Sequence, residues 1–288
     1  MIIAAKHRLT TALFTLALTC GLQWGIAGAA DLDALQEQGS IRVAIADEVP
    51  YAYMDDGDPK GPGPDVARHV LGELGIDDIE WIVTSFSDLI PGLKEDRFDM
   101  VAAEMAIQPN RCDEVIFSEP NTTYGEGLLV AAGNEENIRS YEDFARHNDL
   151  KVAVMAEANQ IDTLRELGVP DSKIVTIQDN VDAIGAITSG RADAYAATSL
   201  TVSGLADRSN EVEVVFNFVD PVVNGDEVRS WGGFTFAQDS RELRDAVNEV
   251  LVPYKYTKEW EKTLRRYGFS KLDVLNSFKY STEQLCED

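Results

Sequence analysis

A repeat inside the chain restricts its fold more than any other feature of these 288 residues. LKEDRFDMVAA at 93–103 and ITSGRADAYAA at 187–197 align without gaps, sharing Arg97 with Arg191, Asp99 with Asp193, and two alanines. Each copy lies in an alternating series. In the first, strands at 41–45, 79–83 and 98–103 are separated by helical spacing over 65–74 and a helix start over 89–93. In the second, strands at 151–155, 174–177 and 194–197 alternate with helices at 160–167 and 181–187. Such alternation builds a parallel sheet flanked by helices, so the sequence predicts an α/β protein of two similar lobes. Residues 128–131 and 232–236 read as extended connections between them. The division predicted is 31–131 plus 234–288 for lobe one and 132–233 for lobe two. Residues 242–267 are helical by period and pack back on lobe one. Two strands joining two α/β lobes make a hinge, and ligands of open α/β sheets sit beyond the C-terminal strand ends, here facing each other across a gap.

Residues 1–30 read as an export signal. Lys6 and Arg8 form its basic head, 13–18 its apolar centre and Ala27-Gly28-Ala29 its cleavage site, so the mature chain starts at Ala30 or Asp31. The apolar run is too short to span a membrane, and the residue before Cys20 is not the small one that a lipidated cysteine requires. The protein is thus expected in the periplasm. The signal holds two of the 25 basic residues and none of the 50 acidic ones, which leaves 23 against 50, a net charge of −27. That balance argues against nucleic acid or an anionic membrane as the partner. Two cysteines remain, Cys112 and Cys286, and in an oxidising compartment an even pair reads as a disulfide tying the C-terminal tail to the loop after Arg111. His69 and His147 have no ligand spacing around them, so neither a metal nor a cofactor is expected.

The chemistry concentrates in DMVAAEMAIQPNRCDEVIFSEP, residues 99–120. A strand-length apolar run meets Gln108-Pro109-Asn110, residues that turn the chain or start a helix, and Arg111 follows. A helix start favours anions, so an arginine there is suited to hold one jointly with the free backbone N–H groups, and its planar fork fits a carboxylate. Glu104 stands at the mouth of the same strand. A cleft offering both signs suits a zwitterion; the bland alternative is that Glu104 and Arg111 pair with each other or with solvent.

Taken in order, RVAIADEVPYAY, GPDVARHVLGELGI, DLIPGLKEDRFD, QPNRCDEVIFSEP, LGVPDSKI, SGRADAY and YGFSKLDV with EQLC at the end give the whole mature chain a resemblance to a known family. It resembles the extracytoplasmic solute-binding proteins that feed ABC importers of polar amino acids, and among them those that bind ectoine and hydroxyectoine. The resemblance implies the type II periplasmic-binding fold and a monomeric, non-enzymatic receptor that closes on a small zwitterionic ligand and presents it to an inner-membrane ABC permease. It gives Arg111 the role of carboxylate anchor and sets Glu48 against the ligand's cationic ring nitrogens. Tyr51 and Phe86 fall at two positions of an aromatic cage. Ala106 stands where the third aromatic belongs, with Tyr53, Tyr124 or Trp231 as substitutes. Asn159 replaces a threonine of the second lobe, and it also precedes a helix that it could cap. Amino-acid binders of the family place an aspartate, for the ammonium group, where this chain has Thr198, so Glu104 would have to take that part. The expected binding set is therefore Glu48, Tyr51, Phe86, Glu104, Arg111, Asn159, Thr198 and Trp231. A rival reading is a dehydratase on the same fold, with Glu48 or Glu104 as general acid, and a third is an accessory protein that serves an enzyme.

Overall fold

The structure, a computed structural model, describes residues 32–287; the export signal expected over 1–30 lies outside them. Period-2 burial organises both lobes. In strand Ser40–Ala46, Val43 and Ile45 face one core while Ala44 and Ala46 face another, and Met100 and Ala102 against Val101 and Ala103 repeat this in Met100–Ala106. Far along the same sheet, Val152 and Val154 face one core and Ala153 the opposite one, as Ala194 and Ala196 do against Tyr195 and Ala197. Strands covered on both faces read as continuous apolar runs, which is why the sequence shows them so plainly.

One ten-stranded sheet carries all four cores. Ser40–Ala46 pairs in parallel with Asp78–Thr84 and with Met100–Ala106, and Val152–Met155 in parallel with Ile174–Ile177 and with Ala194–Thr198. Two long antiparallel strands join these halves. Thr122–Ala131 begins against Arg229–Phe236, with Thr123 opposite Trp231, and continues against Ala194–Thr198, with Leu128 opposite Ala196. Arg229–Phe236 in turn pairs with Met100–Ala106. The two-lobed α/β architecture is the one read from the sequence.

The shared aspartates explain the repeat. The Asp99 N–H donates to the Arg42 carbonyl while its carboxylate accepts from the Arg42 N–H at 2.9 Å; Asp193 does the same with Lys151, accepting at 2.7 Å. Each lobe thus fixes the register of two neighbouring parallel strands with one reciprocal aspartate clasp. Such a clasp demands Asp at one place in each copy.

Two elements differ from the reading. The helical stretch over 242–267 is two helices, Arg241–Tyr254 and Lys258–Arg266. Pro253 lies in the last turn of the first, and Thr257 caps the second by accepting from the Trp260 N–H at 3.2 Å. Strand Met100–Ala106 also runs three residues past the expected end, which matters for Glu104 below.

The chain end closes on the functional stretch. Helix Thr282–Cys286 docks beside helix Pro109–Cys112, and Cys112 is bonded to Cys286 across 174 residues of sequence. Lys255, buried, donates to the Ser277 carbonyl at 3.0 Å and to that of Pro120, which ties the same tail to the entrance of the hinge. In the chain-entropy account a crosslink of this span stabilises by about 4–5 kcal/mol. Cys286→Ser is therefore expected to lower the denaturation midpoint of the mature protein clearly; an unchanged midpoint, or two free thiols titrating in the native protein, would contradict the pairing.

Candidate functional site

Both parallel strand sets end at the gap between the lobes. After Ser40–Ala46 the chain makes a tight loop in which Glu48 and Ala52 exchange two backbone hydrogen bonds, 2.8 and 3.0 Å, and this loop holds Glu48 and Tyr51 at the gap. Helix Pro62–Glu73 presses in behind it: a β-carbon on Gly63 would run into the Ala102 carbonyl, so only glycine permits the approach. From the other lobe come Met155, Ala158, Asn159 and Gln160 after one strand, Asn180 after another, and Thr198 at the end of a third.

The lobes touch through polar contacts. The Tyr51 hydroxyl donates to Thr198 Oγ1 at 2.8 Å, Thr198 donates to Thr201 Oγ1 at 2.9 Å, and Thr201 donates to Glu48 Oε1 at 2.8 Å. Thr198 also caps helix Ser199–Ala206 by accepting from the Thr201 N–H. Asn180 lines the same cavity as Glu48, and the Tyr195 hydroxyl donates to Asn180 Oδ1. Val49 packs on Gly204, where a larger residue would push the lobes apart. Between them lies a cavity of about 30 Å³ lined by Glu48, Tyr51, Phe86, Tyr124, Tyr195 and their neighbours. That is room for about one water, so a larger solute enters only when the lobes part.

Arg111 lies outside this cavity, on the wall of an adjoining cleft of about 790 Å³ that shares Phe86, Ala158 and Asn159 with it. Its guanidinium donates to the Ala106 carbonyl at 3.0 Å and, across the gap, to the Glu157 carbonyl at 2.7 Å, with the Phe86 ring 5.5 Å away. It is 7 % exposed, and among the described residues no carboxylate oxygen approaches its nitrogens within 4.0 Å. Burial disfavours its charge. A buried cation with only carbonyls for company is a place for an anion.

Of the expected residues, Glu48, Tyr51, Phe86, Asn159 and Thr198 come together around the cavity, with Arg111 beside it. Asn159 forms no cap; its amide donates to Ser230 Oγ at 3.2 Å, linking lobe two to the hinge. Glu104 also lines the cavity, its carboxylate accepting from Asn121 at 2.6 Å and Thr122 at 2.7 Å. It takes a left-handed φ of 52° opposite a register shift in Arg229–Phe236. One residue needs correction. Trp231 does not line the cavity: its indole donates to the Asn276 carbonyl at 2.9 Å and its ring meets Tyr280 edge-on, because the C-terminal helices cover that side of the hinge.

Of the three substitutes for the aromatic absent at Ala106, Tyr124 lines the cavity, its ring 4.9 Å from that of Tyr51. Tyr195 of lobe two adds another ring, which the sequence reading missed together with Asn180 and Thr201. The alternation in 194–197 was the only signal for Tyr195, and it fits a core residue equally well. Glu126 was also missed. It sits buried in the hinge strand, accepts from Gln160 at 2.7 Å and Tyr141 at 3.0 Å, and leaves Oε1 without a partner.

Burial pushes Glu48, Glu104 and Glu126 each up to about 7, with hydrogen bonds from Thr201 and Asn180, Thr122 and Asn121, and Gln160 and Tyr141 opposing it. Because the unfolded chain holds these carboxyls near 4.3, the folded state binds more protons between the two values. Their contribution to stability is present below about 4.5 and is lost as pH rises through about 7. Denaturant titrations of the ligand-free protein should show stability falling by a few kcal/mol between about pH 5 and pH 8, and falling less in Glu126→Gln; a flat or rising profile would show that these carboxyls are ionised throughout.

Comparisons with known proteins place the chain in a family. The chain is 46% identical over 275 residues to a probable amino-acid ABC transporter periplasmic-binding protein of Sinorhizobium fredii, covering 94% of this chain and 91% of that one. A crystal structure of EhuB in complex with hydroxyectoine superposes with a TM-score of 0.80 at 30% identity, over 89% of this chain and 98% of the other. An ancestral amino acid-binding protein, described as a precursor of cyclohexadienyl dehydratase, gives 0.71 at 30% identity, over 82% and 98%. These neighbours have the type II periplasmic-binding fold. Residues 41–271 match the model of one family, and the chain belongs to it: the bacterial extracellular solute-binding proteins, family 3, which deliver small solutes to ABC permeases.

Proposed function

We propose that the protein is the periplasmic receptor of an ABC importer for a small zwitterion with a flat, delocalised cation, ectoine or hydroxyectoine before ordinary amino acids. The observation that carries this reading is the pairing of opposite buried charges. Among the described residues Arg111 has no carboxylate partner, and Glu48 lies next to Tyr51, Phe86, Tyr124 and Tyr195, a carboxylate among ring faces that attract a delocalised cation. The ligand's carboxylate would replace carbonyl contacts at Arg111 and its cation would approach Glu48. Closure would be driven by contacts made with both lobes at once, through Asn159 and Thr198 on the second. The protein would be secreted by its leader, work as a monomer, and divide into lobes near residues 131 and 234. The hydroxyectoine complex of EhuB supports the choice of ligand.

A polar amino acid is the second reading, favoured by the name of the Sinorhizobium fredii relative. Against it stands Thr198, which has no charge to set against an ammonium group. A dehydratase would use Glu48, held neutral by burial as a general acid must be, and the kinship with the dehydratase precursor is its support.

A thermal-shift screen separates these readings. At 100 times its dissociation constant a ligand stabilises by about 2.7 kcal/mol. The expected result is a response to ectoine and hydroxyectoine and little or none to standard amino acids. A response to amino acids alone would reject the ectoine reading, and turnover of a prephenate-like acid would reject the receptor. Arg111→Ala should cost about 2–5 kcal/mol of binding, measured by calorimetry, since the ligand's carboxylate is left buried and unpaired; retained affinity would place the anchor elsewhere.

A further inference from the structure

Charge is segregated on this molecule. Residues 255–280 hold seven basic side chains against three acidic ones, and the rest of the mature chain, from residue 31, holds 16 against 47. One of the three acids, Asp273, is taken by Arg229 at 2.9 Å. A helical hairpin arranges the excess. In helix Lys258–Arg266, Trp260, Thr263 and Leu264 are buried, so Lys258, Lys262 and Arg265, spaced i, i+4 and i+7, share the exposed face, and none of them is in an ion pair among the described residues. After a turn over 267–270, helix Lys271–Asn276 runs back and shows solvent Leu272 and Leu275, each 60 % exposed. Phe278 continues that line. Its ring lies 4.5 Å from the Lys255 ammonium beneath it and 5.1 Å from the ring of Tyr256, which is 77 % exposed, so the end of the hairpin returns to its start.

From this we infer that the hairpin is a membrane-contact face, which seats the receptor on the anionic phospholipid headgroups of the bilayer that holds its permease. Exposed leucine, phenylalanine and tyrosine beside a row of cations is the composition of surfaces that lie in a headgroup layer, where apolar tips reach the acyl boundary and cations meet phosphate. Exposed apolar patches mark interaction sites in general, but lysine, two of the three cations in the row, is depleted in protein interfaces. A lipid surface fits better. The net charge of −27 argues against a membrane for the molecule taken whole, yet charges farther off than about 8 Å are screened at physiological salt, so the hairpin acts locally. The acidic remainder then orients the protein, since any other face turned to the bilayer is repelled.

Cosedimentation of the mature protein with vesicles tests this without any ligand, so it stands apart from the reading of the solute site. Vesicles of equal parts phosphatidylglycerol and phosphatidylcholine should bind the protein at low salt and release it at high salt, and pure phosphatidylcholine should hold little. Lys262→Glu should lower the partition coefficient on the order of tenfold, while Arg208→Glu, the same change of charge at an exposed position of lobe two, should leave it within about twofold. Leu272→Ser combined with Leu275→Ser should also lower it about tenfold, with melting curves to verify folding. No binding to anionic vesicles at low salt overturns the inference, as does an equal loss in Lys262→Glu and Arg208→Glu, which would show a response to net charge alone. Salt-sensitive self-association in sedimentation velocity, abolished by Lys262→Glu and without vesicle binding, would assign the face to a second copy of the chain and overturn it too.

Discussion

A carboxylate carried by one lobe and met by donors from the other couples charge to shape. Glu48 belongs to the loop after the first strand, while Thr201 belongs to the second lobe, so the hydrogen bond between them exists only while the lobes are together. Burial in that state raises its pKa, and a neutral acid is the cheapest form for it in the absence of another cation. A cationic solute changes that choice. The same contacts then serve an ionised carboxylate, where hydrogen bonds are about twice as strong, and closure becomes more favourable.

The fold supplies what this coupling needs. The aspartate clasps at Asp99 and Asp193 fix each lobe's neighbouring parallel strands. Two antiparallel strands carry the connection between the lobes. Even there the chain is braced: Arg229 pairs with Asp273 at 2.9 Å, the Thr123 hydroxyl donates to the Ser230 carbonyl at 2.8 Å, and Lys255 holds the tail against Pro120. The Cys112 to Cys286 bond sits one residue from Arg111, so the backbone that carries Arg111 is crosslinked to the tail.

Much of this was legible in the sequence, and what was not has a physical reason. Strands buried on both faces announce themselves as apolar runs, and the repeat exposed the two lobes. Arg111 was legible because an arginine at a helix start goes against the dipole. Glu48, Tyr51, Phe86 and Thr198 were reached through family resemblance. Glu104 was legible at the mouth of its strand, but its partners Asn121 and Thr122 were not, since they lie 17 and 18 residues onward. Trp231 misled because its partners, Asn276 and Tyr280, lie more than 40 residues onward. Tyr195, Asn180 and Thr201 carry no local sign of a site; they meet Glu48 about 130 to 150 positions after it, and no periodicity encodes that distance.

The coupling of charge to closure has a direct thermodynamic signature, the number of protons exchanged when the solute binds. Titrating hydroxyectoine into the mature protein near pH 6, in buffers that differ in ionisation enthalpy, measures it without assumptions about structure. If Glu48 is neutral in the ligand-free closed form and ionised beside the cation, binding releases close to one proton, and Glu48→Gln abolishes the release along with most of the affinity. Strong binding with no proton exchange would mean that Glu48 is already ionised before the cation arrives, and that closure does not draw on its change of charge.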